Sequence, residues 1–149
     1  MQRRELLALA TMTAAAGASS ALGQQQELKA RLIHVYVTPD GESHSDIVEI
    51  ENTAGEIPVT SMTASAYERN DSNAAEWHTA PRKQFAINLT GDLEVELSDG
   101  TRREIGQGDL VYLEDITGKG HVTRVLTSVT NLFIHVPQEW DMLTWASGA

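Results

Sequence analysis

Three residues in the second half of the chain have side chains that can do chemistry. They are His78, Gln84 six positions later, and His121. Imidazole titrates near neutral pH, so His78 and His121 can act as general acid or base. Imidazole nitrogens are also common metal ligands. Lys119 lies between Gly118 and Gly120, beside His121. It can bind a carboxylate or phosphate, or polarise a carbonyl, and the two glycines let backbone approach a ligand. Arg82 and Lys83 precede Gln84 and can hold an anion.

Short strands must position these groups. From Gln84 the chain alternates: Phe85, Ile87 and Leu89 against Gln84, Ala86 and Asn88. Thr90-Gly91-Asp92 turns it, and Leu93, Val95 and Leu97 then alternate with Glu94, Glu96 and Ser98. Asp99-Gly100 signals a type I′ hairpin, with Thr101 to Ile105 returning. Further strands are expected at Leu32–Val37, Ile47–Ile50, Thr60–Tyr67, Leu110–Leu113, Val122–Leu126 and Leu132–Val136. No long helical period appears, and regularly spaced short strands imply a sandwich or barrel. His34 and His135 lie in apolar strands, where a satisfied core or interface histidine is expected. Glu114 and Asp115 are candidate acids at the rim, or simply a charged turn there. The Trp140 to Trp145 tail is expected to pack on the barrel or on a partner chain.

The segment from about residue 73 to 136 resembles the two boxes of the cupin superfamily. The first box there reads His-x-His, a few residues, Glu, six residues, Gly. Here Gln84 stands six residues before Gly91 in the Glu position, Ala80 in the second His position, and His78 in the first. In the second box, Gly108 is followed by Glu114 where the family has Pro, and His121 comes after a longer loop. Trp77-His78-Thr79-Ala80-Pro81-Arg82-Lys83-Gln84 and Asp115 to His121 are similar to one branch of small bacterial cupins. The resemblance implies an all-β, jelly-roll cupin barrel (a double-stranded β-helix) with one pocket. It implies a metal set of His78, Gln84 and His121 for Fe, Mn, Ni or Zn, depleted by one histidine and one carboxylate, or a polar pocket with no metal. His78, His121 and Lys119 are then the catalytic candidates, and Trp77, Arg82 and Gln84 the substrate-binding ones.

At 149 residues the chain fits one domain and can bury a core without staples. It has no cysteine, which removes disulfides, thiolate metal sites and a Cys nucleophile. A formal net charge of −10 argues against nucleic-acid binding and against anionic membrane surfaces. Residues 1–23 form a separate unit. Arg3-Arg4 is followed by an apolar run from Leu6 to Ala16 and then by small residues to Gly23. This is the layout of a twin-arginine-like export signal, cut after Gly23, with residues 24–149 as the cupin domain. Without a cysteine at the cut there is no lipid anchor, and the mature protein is expected in the periplasm or outside the cell.

If Gln84 points into the barrel, Phe85, Ile87 and Leu89 point out and need cover from a second layer or a partner chain. The sequence therefore predicts a homodimer. Two functions remain open: an enzyme (lyase, isomerase or oxygenase) acting on a small polar or anionic molecule, and a non-catalytic, metal-free periplasmic binder of a small molecule.

Overall fold

The structure, a computed structural model, describes residues 29–69 and 76–149. The expected leader over residues 1–23 lies outside them, as does the Asn70 to Asn73 loop. Nine strands make two sheets: β1 (Ala30–Val37), β2 (Ser43–Ile50), β3 (Ser61–Tyr67), β4 (Gln84–Thr90), β5 (Leu93–Leu97), β6 (Arg102–Ile105), β7 (Leu110–Leu113), β8 (His121–Val125) and β9 (Val129–His135). The larger sheet runs β2-β1-β7-β4-β9-β3 and the smaller runs β6-β5-β8. Every pairing is antiparallel except β1 with β7.

Alternation decides which face each strand buries. In β5, Leu93, Val95 and Leu97 are buried, while Glu94 and Glu96 point out to Arg102 and Arg124. These leucines and valine join Val35, Val111, Leu113, Ile105 and Val129 in the core cluster of the barrel. At about 25 cal/mol per Å² of apolar area, this burial is the main stabilising term.

The turn after β5 corrects the type I′ expectation. Among the described residues no non-glycine has positive φ, so Asp99 cannot occupy the left-handed position that a type I′ turn demands. Instead Ser98-Asp99-Gly100 forms a three-residue loop with Gly100 alone at φ 88°. It is closed by Gly100 N–H to Leu97 O (3.0 Å) and Leu97 N–H to Thr101 O (2.9 Å).

The outward row on β4 is covered at Phe85, and by the chain itself. Phe85 is fully buried in a second cluster with Leu32, Tyr112, Val136, Met142 and Ala146. Trp140 and Trp145 close over it, their ring centroids 5.7 and 5.9 Å from that of Phe85. The tail carries a short helix, α1 (Met142–Ala146), capped by Asp141, whose carboxylate accepts from Thr144 N–H at 3.1 Å. Five residues are too few to show a helical period in sequence. Trp145 Nε1–H donates to Gly55 O (2.7 Å) and Glu51 N–H to Ala146 O (2.8 Å), fixing the tail to the loop after β2. Phe85 thus needs no partner chain, while Leu89, at the end of the row, stays exposed.

Candidate functional site

Inward-facing residues of the larger sheet fall in rows set by strand register. Leu113, Gln84, His135 and Ser61 are opposite one another across β7, β4, β9 and β3. Two residues along each strand, Val111, Ala86, Phe133 and Thr63 form the next row. Across the barrel, β8 presents His121, Thr123 and Val125 from the smaller sheet. Between them lies a cavity of about 630 Å³, within the size range that takes small molecules. Gln84, His121 and His135 are buried in its wall, whereas His78, Glu76 and Arg82 sit exposed at its mouth.

Main-chain bonds join the two expected histidines. His78 N–H donates to His121 O at 3.0 Å, and His121 N–H returns to His78 O at 2.8 Å. The rings lie edge to face, with centroids 4.5 Å apart. Gly120 permits this approach. A Cβ there would fall 2.1 Å from the His78 carbonyl oxygen, and its φ of 72° is costly for any side chain. The glycine serves the chain's own packing rather than the approach of a ligand.

Each histidine is oriented through Nδ1. His78 Nδ1 lies 2.9 Å from Glu76 O, and a carbonyl only accepts, so Nδ1 carries the proton. His121 Nδ1 lies 2.6 Å from Asp115 Oδ2. Asp115 has no solvent exposure, and its Oδ1 has no partner among the described residues. It is not the charged rim turn expected from sequence. Its own carbonyl accepts from Ala80 N–H at 3.1 Å, which folds the Asp115 loop against the first box. With the proton on Nδ1 of a neutral ring, Nε2 keeps its lone pair.

A third histidine was missed as a pocket residue. His135 is buried as expected but lines the cavity beside Gln84, its Nδ1 2.6 Å from Ser61 Oγ. Its parity with Asn131 and Phe133 was readable, but the register that turns them inward was not.

Other expected site residues are set apart. Lys119 pairs with Glu42, its backbone N–H donates to Gly41 O at 2.9 Å, and it does not line the cavity. Trp77 is half exposed and also lies outside the lining. Lys83 binds Glu114 (2.9 Å) on the outer face, where Glu114 also meets the buried His34 at 2.8 Å. The hydrogen bond from His34, aided by Lys83, holds the Glu114 carboxyl below its ordinary range against the opposing effect of burial. Burial, with Glu114 and Asp141 adding, pushes the neighbouring Tyr112 phenol up.

These donors do not fit a divalent metal. Among the described residues no three His, Asp or Glu side chains come together as a metal cluster. The set of His78, Gln84 and His121 offers two imidazoles and a neutral amide, and the nearby carboxylate of Asp115 is committed to His121 Nδ1. The arrangement can instead bind a small molecule between the sheets and exchange a proton with it at a histidine Nε2.

No family model matches the chain, and no curated protein is significantly similar to it. Solved structures give weak likenesses. A Neisseria meningitidis protein is 14% identical over 72% of this chain and 83% of its own, with a TM-score of 0.41. A Salmonella typhimurium protein described as ethanolamine utilization protein Q is 18% identical over 74% and 98%, also at 0.41. The Cupin_2 domain of an XRE family transcriptional regulator from Enterobacter cloacae is 19% identical over 73% and 99%, at 0.30. The chain's own strand pairing makes it an all-β, two-sheet barrel in which Gln84 and His121 face one cavity from opposite sheets.

Proposed function

We propose that this chain is an exported cupin that binds a small polar molecule in its barrel and moves a proton on it. His121 is the base and His78, at the mouth, a second proton carrier. The buried Asp115–His121 pair, whose histidine lines the cavity, carries this reading. Burying a carboxylate with one oxygen unpaired costs stability, and pairs of this kind concentrate at sites that use them. Asp115 fixes the ring and its tautomer and faces the positive charge that forms when Nε2 takes a proton. The reaction class is isomerisation or elimination. A proton leaves carbon beside a carbonyl for His121 Nε2, and its electron pair passes into the carbonyl while the Gln84 amide donates a hydrogen bond to the developing oxyanion; the pair then returns, taking up a proton at another carbon in isomerisation or expelling a β-substituent in elimination. The N-terminal layout of residues 1–23 supports export.

The test is proton exchange in D2O. A panel of small carbonyl acids is incubated with the protein and α-proton loss followed by NMR. Exchange with the native chain and none with His121→Gln is expected. Saturable binding without exchange across the panel would overturn catalysis and leave a binding protein.

A further inference from the structure

We infer that the cavity takes a monocarboxylate with a compact apolar body, its carboxylate held at the mouth by Arg82. This rests on the cavity being the ligand site, as proposed above, and adds the ligand's chemical class.

Of the cations that the sequence brought near the mouth, two already have partners. Lys83 is held by Glu114 and by Trp140 O, and Lys119 by Glu42. Arg82 lines the cavity with no hydrogen bond or ion pair among the described residues. In a chain of net charge −10, Arg102 and Arg124 are neutralised by Glu94 and Glu96, whereas Arg82 is not. A guanidinium presents parallel N–H groups that match a carboxylate's two oxygens.

The cavity changes character along β4. Arg82 stands at its entry, and the Gln84–His135 row comes next. The Phe133 row follows, two residues on, or ~7 Å along a strand. Leu93 and Val125 line the far end, with Asn131 and Thr123 between them, and an adjoining cavity of about 70 Å³ extends it among Val95, Ile105 and Val111. A ligand with its acid at Arg82 therefore carries its reacting carbon past the histidines and its apolar body against Phe133. Glu76 also lines the mouth and repels a second acidic group, so a monoacid is favoured over a diacid.

The experiment uses 3-phenylpropanoate and 4-methylpentanoate, their primary amides, and succinate. Each is titrated into the protein while the ring signals of His121 and His135 are followed by NMR. Both monoacids should bind saturably and shift both histidines. The amides and succinate should bind roughly tenfold or more weakly, the loss expected when a charge-assisted pair is removed. Arg82→Gln should reduce the monoacids to the affinity of the amides and leave the amides unchanged, with the melting temperature of the exposed-site variant confirming its fold. Equal binding of acids and amides, or an Arg82→Gln variant that binds acids as the native chain does, overturns the inference while the pocket reading stands. If no probe moves either histidine, both fall.

Discussion

His121 and Asp115 are six residues apart and meet at 2.6 Å, ring nitrogen to carboxylate oxygen, with neither open to solvent. The loop between them arches so that the carboxylate lies behind the ring instead of at the rim. Asp115→Asn keeps the shape and removes the charge. Exchange activity is expected to fall by roughly 10²–10⁴-fold, the range lost when a base no longer holds its tautomer. Carboxylate binding should stay within about threefold. Nitrogen-15 spectra of the imidazole report the tautomer directly, and an unchanged spectrum with unchanged rate would remove Asp115 from the mechanism.

Gly120→Ala places a methyl group against the His78 carbonyl. Strain at positive φ together with the clash is expected to cost about 1–3 kcal/mol or more. Urea unfolding measures the loss. Amide exchange should accelerate at His78 and His121, whose N–H groups form the bridge.

Phe85→Ala opens a hole beneath Trp140 and Trp145. A buried phenylalanine truncation costs about 3–5 kcal/mol. Tryptophan emission should shift to the red as the tail loosens, which separates this variant from one that destabilises the barrel elsewhere.

Glu114 links the outer face to pH. Its folded carboxyl titrates below its unfolded value, so its contribution is fully present above the unfolded pKa of about 4.3 and is lost as pH falls through the lower folded value. Melting temperature should therefore drop in acid, and Glu114→Gln should flatten that drop. At neutral pH the variant should be roughly 1–3 kcal/mol less stable, since Lys83 and the buried His34 lose their partner.

Lys119→Ala provides a contrast. Its pair with Glu42 is exposed on the lysine side and screened by solvent, so little stability rests on it. Ligand affinity and exchange rate should match the native chain within about twofold, and a tenfold loss in either would return Lys119 to the site.

The strands around the pocket were legible because β4 and β5 alternate with polar and apolar residues on opposite faces, and that parity also put Gln84 inside and Phe85 outside. The family-like boxes grouped His78, Gln84 and His121, and all three line the one cavity. Asp115 was not legible, because burial of a carboxylate depends on what folds over it, and the Ala80 contact that does so lies 35 positions away. His135 failed for a related reason: parity within β9 is visible, but which parity faces in is decided by pairing with β4. Lys119 misled because a lysine between glycines looks mobile, whereas the turn at Gly41 holds it.

The reciprocal bonds between His78 and His121 fasten the first box to an edge strand of the smaller sheet, so the mouth doubles as a seam. Any breathing of the barrel at that end separates the two rings before it exposes the core. A partly opened chain is therefore expected to lose the proton exchange proposed for these rings before it unfolds.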